Sequence, residues 1–198
     1  MIFKEEQRIV LITGTSHVGK TTCAVTLREK TGFKVISTDT LARHPGRPSD
    51  SVPSFIIEYY NNLSDDTIHW FLKVHHENMR AVIQETIQRY IKTDQPLVLE
   101  GAALRPEYFA DWNIDPANAY CLYAEPAILI GRIKASTDYN KGAQPLRIAI
   151  DKFIERSLRE NELLAESAEK NGVAVVVVND FEKISHLATN LANNNYTR

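Results

Sequence analysis

Eight consecutive residues, Gly14-Thr15-Ser16-His17-Val18-Gly19-Lys20-Thr21, follow the spacing G-x-x-x-x-G-K-[ST]. Glycines at these two places let the backbone wrap a polyphosphate with its N–H groups, and a helix starting there turns its positive end toward the anion. Lys20 adds a full charge, and the Thr21 hydroxyl suits a Mg²⁺ ion that bridges two phosphates. The expected nucleotide contacts run from Gly14 and Thr15 through Ser16, His17, Val18, Gly19 and Lys20 to Thr21 and Thr22. The flanks agree with this. The apolar run from Ile9 to Thr13 reads as a strand and the segment from Thr22 to Lys30 as a helix, which is the order a phosphate-cradling loop needs.

A second set of residues could handle a phosphoryl acceptor. Asp39 stands at the carboxyl end of another short run, Lys34 to Ser37, the edge where open α/β sheets gather ligands. A carboxylate there accepts a hydrogen bond from a hydroxyl and takes its proton as the new bond forms. The plainer reading is that Asp39 or Thr38 caps a short helix starting near Thr40. Arg43 and Arg47 follow, with His44 between them and prolines around them, and arginine forks there would match an anionic group on the acceptor. Solvated surface arginines are the alternative.

Glu100 ends a third run, Leu97 to Glu100, where a carboxylate serves Mg²⁺ or, equally, the acceptor hydroxyl. Arg105 is grouped with the acceptor-binding residues. Arg132, on a helix that starts at Glu125-Pro126, is the expected charge clamp, against the alternative of a basic residue bound to helix carbonyls. Arg147 and Arg156 are weaker candidates, and for Arg156 the alternative is a pair with Glu160 or Glu155 on a solvated helix face.

The elements that must position these residues are five short, mostly continuous apolar runs: Ile9 to Thr13, Lys34 to Ser37, Leu97 to Glu100, Ala119 to Tyr123 and Val173 to Val178. Between them, Ile68, Phe71, Leu72, His75, Met79, Val82, Ile83, Thr86, Ile87, Tyr90 and Ile91 advance by three or four residues, which predicts one long amphipathic helix. Another runs from about Leu146 to Lys170, with Asn171-Gly172 as its stop. Alternating strands and helices argue for a parallel sheet and a three-layer α/β domain. Residues 42 to 53 and 134 to 145 lack periodicity and read as loops.

The phosphate loop resembles that of the P-loop NTPase superfamily, and the spacing of the other landmarks is similar to its nucleotide-kinase and small-molecule-kinase branch. That branch includes adenylate kinase-like, shikimate kinase-like and chloramphenicol phosphotransferase-like proteins. The architectural resemblance runs from Ile9 to about Leu191, while only the eight-residue loop is specific residue by residue. It implies a five-stranded parallel sheet of order 2-3-1-4-5 with helices on both faces, an acceptor-binding insertion at about 40–93 and a lid at about 132–147. It also implies that Arg132 closes with the lid and that backbone near Asn179-Asp180-Phe181 lies by the nucleotide base. The Asp-Gly-x-Pro-Arg run of nucleoside monophosphate kinases is replaced here by Gly101-Ala102-Ala103-Leu104-Arg105, which favours a hydroxyl acceptor. Asn140-Lys141-Gly142-Ala143 lacks the last aspartate of the GTPase run Asn-Lys-x-Asp, so ATP is the expected donor.

Composition narrows the function classes. At 198 residues the chain is expected to form a single domain over 1–198, and 43% hydrophobic content is enough for a core. A net charge of -2 gives no reason to expect nucleic acid or an acidic membrane as partner. Cys23 and Cys121 are too few and too far apart for a disulfide framework, no apolar run reaches the ~18 residues of a membrane span, and Met1 to Arg8 is polar where an export signal would be apolar. These features suggest a cytoplasmic protein. His69, His75 and His76 lack zinc-hydrolase spacing and read as packed or polar-face residues, and Trp70 and Trp112 as core or partner contacts. The combined expectation is an ATP- and Mg²⁺-dependent kinase acting on a hydroxyl of a small metabolite that suits the arginines by carrying an anionic group. A nucleotide-driven switch acting on a protein partner and a nucleoside monophosphate kinase are the alternatives. The sequence carries no indication of oligomeric state.

Overall fold

The computed structural model describes residues 8–43, 46–49, 51–137 and 139–196, so the segment before Arg8, together with His44, Pro45 and Asp138 of the two expected loops, lies outside it. Five strands, β1 (Ile9–Thr13), β2 (Lys34–Ser37), β3 (Leu97–Glu100), β4 (Ala119–Tyr123) and β5 (Ala174–Val177), form one parallel sheet of order β2-β3-β1-β4-β5. This is the expected topology. β1 is central and buried along its whole length, as a strand covered on both faces must be, which is why its sequence is continuously apolar.

Successive side chains of β1 serve opposite layers. Val10 and Ile12 pack with α1 (Lys20–Thr31) and α6 (Phe181–Tyr196), whereas Ile9 and Leu11 pack with α3 (Asp65–Lys92) and the C-terminal half of α5 (Gln144–Lys170). α3 starts where Ser64 accepts a hydrogen bond from the Thr67 N–H, with Asp65 and Asp66 in its first turn. Both long helices lie close to their expected ranges.

Three expectations are adjusted. α2 (Ser54–Asn62) was not expected; it forms because Ile56 and Tyr60, one turn apart, bury one side of a short helix beside α5. The expected loop 134–145 shortens to 137–143, because α4 (Pro126–Ser136) extends into its start and α5 begins at Gln144. The expected strand over 173–178 shortens to Ala174–Val177. Trp112 is wholly buried and Trp70 is exposed, and Cys23 and Cys121 are free, buried thiols pushed up to about 12 by desolvation. Among the described residues no helix is long and apolar enough to cross a membrane.

Candidate active site

The phosphate loop joins β1 to α1 and is held open by its own partners. The Lys20 ammonium donates to the Thr15 carbonyl at 2.7 Å, and the Thr15 hydroxyl donates to the Ser157 carbonyl on α5 at 3.0 Å. Burial lowers the pKa of Lys20 most, with Glu100 and Asp39 pulling it back up. Gly14 passes so close to β4 that an added Cβ would lie 2.6 Å from the Leu122 carbonyl oxygen. His17 adopts a left-handed φ of 64°, meets the Ser136 hydroxyl through Nε2 at 2.8 Å and stands edge-on to Phe153. Burial, then Arg47, Lys20 and Arg156, lower its pKa to about 4, so its imidazole is neutral at pH 7.

The two residues expected at the metal meet in space: the Thr21 hydroxyl donates to Glu100 Oε1 at 3.0 Å. β3 carries Glu100 to the end of β1, where Ile12 and Glu100 are paired in register. A hydroxyl and a carboxylate side by side at the loop fit the hard oxygen preference of Mg²⁺. The described residues hold no cluster of three acidic, histidine or cysteine ligands, so phosphate oxygens and water would complete its shell.

Beneath Thr15 and Ser16 lies a cavity of about 60 Å³. Asp39, Gly46 and Arg47 form one wall, Tyr59 and Tyr60 of α2 another, and Ala102 and Ala103 border it after β3. α3 contributes Ile68, Leu72, His75, His76 and Met79, one helical stripe, and α5 contributes Arg156 and Glu160, one turn apart. Asp39 sits inside a short 3-10 turn, Thr38–Thr40, whose capping position is Ser37, so it is not the helix cap of the plainer reading. Its carboxylate accepts from Arg47 at 3.2 Å. Arg43 is exposed and borders a separate surface hollow together with Asp39 and the residues between them.

Three arginines stand elsewhere than expected. Arg156 is turned toward the cavity, not onto a solvated face: it donates to the Tyr60 hydroxyl at 3.2 Å and the Ser16 hydroxyl at 3.4 Å, and its guanidinium lies over the Phe153 ring. Arg132 donates to the Val18 carbonyl at 3.0 Å and the Val178 carbonyl at 2.9 Å, thereby tying the phosphate loop to the end of β5. Arg105 is buried behind the cavity wall and pairs with Glu160 at 2.5 Å and Glu107 at 2.6 Å. Burial opposes its charge, but the two carboxylates outweigh that and raise its pKa.

Sequence reading missed Tyr59, Tyr60, His75, His76 and Glu160 as cavity residues. Ile68, Leu72, His75 and Met79 belong to the stripe that announced α3, and nothing in that period distinguishes a residue facing a cavity from one facing a core.

A phosphate loop after the central strand of a parallel sheet, opening onto a cavity of mixed polar and apolar lining at the carboxyl ends of β2 and β3, defines a mononucleotide-binding α/β domain. A family model described as "AAA domain" matches residues 10–147, and the chain belongs to that family. No curated protein matches the chain. Among solved structures, a sugar kinase from Janibacter sp. HTCC2649 is similar at 16% identity and a TM-score of 0.57, covering 97% of this chain and 99% of that one. A gluconokinase from Sinorhizobium meliloti 1021 has 17% identity and a TM-score of 0.51 over 98% and 100% of the two chains. A shikimate kinase from Bacteroides thetaiotaomicron has 14% identity and a TM-score of 0.52 over 93% and 96%. These likenesses establish the P-loop kinase fold.

Proposed function

We propose that the protein is a cytoplasmic, Mg²⁺-dependent kinase that transfers the γ-phosphoryl group of ATP to a hydroxyl of a small metabolite. The observation that carries this reading is one small cavity bordered by Thr15 and Ser16 of the phosphate loop and by the carboxylate-bearing Asp39. In that space the acceptor oxygen bonds to the γ-phosphorus, the bond to the β-phosphate oxygen breaks, ADP leaves and the hydroxyl proton passes to the Asp39 carboxylate. Residues Gly14 to Thr22 cradle the phosphates, and Lys20 neutralises charge that grows in the transition state.

Thr21 and Glu100 would hold Mg²⁺, whose chemistry is to neutralise phosphate charge. Arg156, in contact with Ser16, is better placed than Arg132 to clamp the transferred group, while Arg132 positions the loop through Val18. Arg47 borders the cavity and suits an anionic group on the acceptor. The names of the similar structures, a sugar kinase, a gluconokinase and a shikimate kinase, support the class of reaction. A net charge of -2 suits a small acceptor better than a nucleic acid.

The test is transfer from γ-labelled ATP and Mg²⁺ into a protein-free pool of cytoplasmic metabolites. A labelled small molecule is expected, and Asp39→Asn should lower kcat by about 10² or more with the KM for ATP unchanged. Label appearing only in inorganic phosphate would replace the kinase by a nucleotide-driven switch.

A further inference from the structure

The part of the cavity wall furthest along α5 from the phosphate loop holds polar atoms that the proposed chemistry does not use. Glu160 lines the cavity although it is 1% exposed. Its Oε1 takes the Arg105 bond at 2.5 Å, while its Oε2 is buried and has no hydrogen-bond partner among the described residues. His69 Nδ1 comes only to 3.8 Å from Oε2, beyond hydrogen-bond reach. Nδ1 of His76, another cavity residue, is likewise buried, stands 3.9 Å from Glu160 Oε1, and has no hydrogen-bond partner among the described residues. Buried polar atoms are nearly always satisfied in folded proteins, so two orphans bordering one cavity point to a missing ligand.

The chemistry of the pair selects that ligand. Burial, then Arg105, His75, Arg156 and Lys20, hold His76 neutral, so its Nδ1 can carry a proton to donate; burial pushes the Glu160 pKa up, but its bond from Arg105 favours the carboxylate, whose Oε2 can only accept. A hydroxyl answers both, because it donates to the carboxylate and accepts from the imidazole. An ammonium only donates, and a carboxylate or phosphate only accepts. Charge agrees, since Arg105, which is shared with Glu107, and Arg156 both already act on the Glu160 charge. Arg156, which touches Ser16, and Glu160 lie four residues apart on α5, hence on one face about 6 Å apart along the axis.

We infer that Glu160 and His76 form the specificity site for the acceptor, and that they bind a second hydroxyl of it, one turn of α5 beyond Arg156. The acceptor is therefore a small polyhydroxylated molecule. This rests on the kinase reading above.

The experiment uses the full chain. Transfer from γ-labelled ATP is measured on glycerol, erythritol, ribose and glucose, against choline, ethanolamine and lactate, and the labelled product from the metabolite pool is identified. Calorimetric binding of the same compounds is measured without nucleotide. The expected acceptor carries at least two hydroxyls. Glu160→Gln and His76→Leu should each lower its kcat/KM about tenfold or more, through KM, with the KM for ATP unchanged and with little further loss on the analogue lacking the second hydroxyl. If Glu160→Gln fails to fold because Arg105 loses one of its two charge partners, His76→Leu still removes the donor with both pairs intact. An acceptor with a single hydroxyl, or equal losses on parent and deoxy analogue, overturns the inference. Polyol binding that both variants weaken, with label found only in phosphate, leaves this site standing and removes the kinase reading instead.

Discussion

The phosphate loop and the cavity beneath it share a boundary at Thr15 and Ser16, yet they are built in opposite ways. In the loop, Lys20, Thr21 and Thr15 each have a partner before any ligand arrives: the Thr15 carbonyl, Glu100 and the Ser157 carbonyl. In the cavity, Glu160 Oε2, His76 Nδ1 and Arg156 Nε are buried without partners among the described residues. Apart from His17 Nδ1, which is buried without a partner among the described residues, the loop side chains are held in place in advance, as suits a ligand group that never varies, the polyphosphate. Polar atoms left unpaired in a cavity remain costly until one particular ligand supplies the missing partners, and that cost is a source of selectivity.

Substitutions in the two regions should therefore break different quantities. The largest effect is expected from Lys20→Ala, which removes a desolvated charge from the loop. Phosphoryl transfer should fall by about 10³ or more in steady-state kinetics with the melting temperature nearly unchanged. Arg156→Gln cuts the link between the two regions, at Ser16 on one side and Tyr60 on the other. A loss of about 10² in kcat/KM is expected, and a loss confined to ATP binding would place Arg156 with the loop alone.

Gly101→Ala tests the shared scaffold, because a Cβ there would lie 1.8 Å from the Thr38 hydroxyl oxygen, next to Asp39. Thermal unfolding should show destabilisation of about 2–4 kcal/mol, accompanied by reduced kcat as the Asp39 turn is displaced.

The smallest effect is on pH dependence. His17 in the loop and His69 behind the cavity both have pKa values lowered from 6.5 to about 4, in each case mainly by burial. As pH falls below about 6.5 the unfolded chain binds protons that the folded one refuses, so these residues destabilise the fold progressively down to about pH 4 and add no further change below it. The melting temperature should drop over that window, and His69→Asn should flatten the drop. An unchanged slope would show that His69 is not held neutral.

The loop was legible because its function is local. Eight contiguous residues between a strand and a helix specify it, and Gly14 marks where the backbone must pass β4 at close range. Glu100 was legible for a related reason: a carboxylate closing an apolar strand needs a partner, and the structure supplies Thr21. The arginines were not legible. Arg105, Arg132 and Arg156 have the same chemistry in sequence, but one pairs with Glu160 and Glu107, one with two backbone carbonyls, and one with Ser16 and Tyr60. Their long side chains reach partners contributed by remote elements.

By itself, the sequence determined the strands, the two long helices and the phosphate loop, because hydrophobic period and glycine spacing act over a few neighbouring residues. Tertiary structure decided which polar residues look into the cavity. His76 and Glu160 lie on different helices that the fold brings together, and their hydrogen-bond deficit exists only once packing has removed water from both.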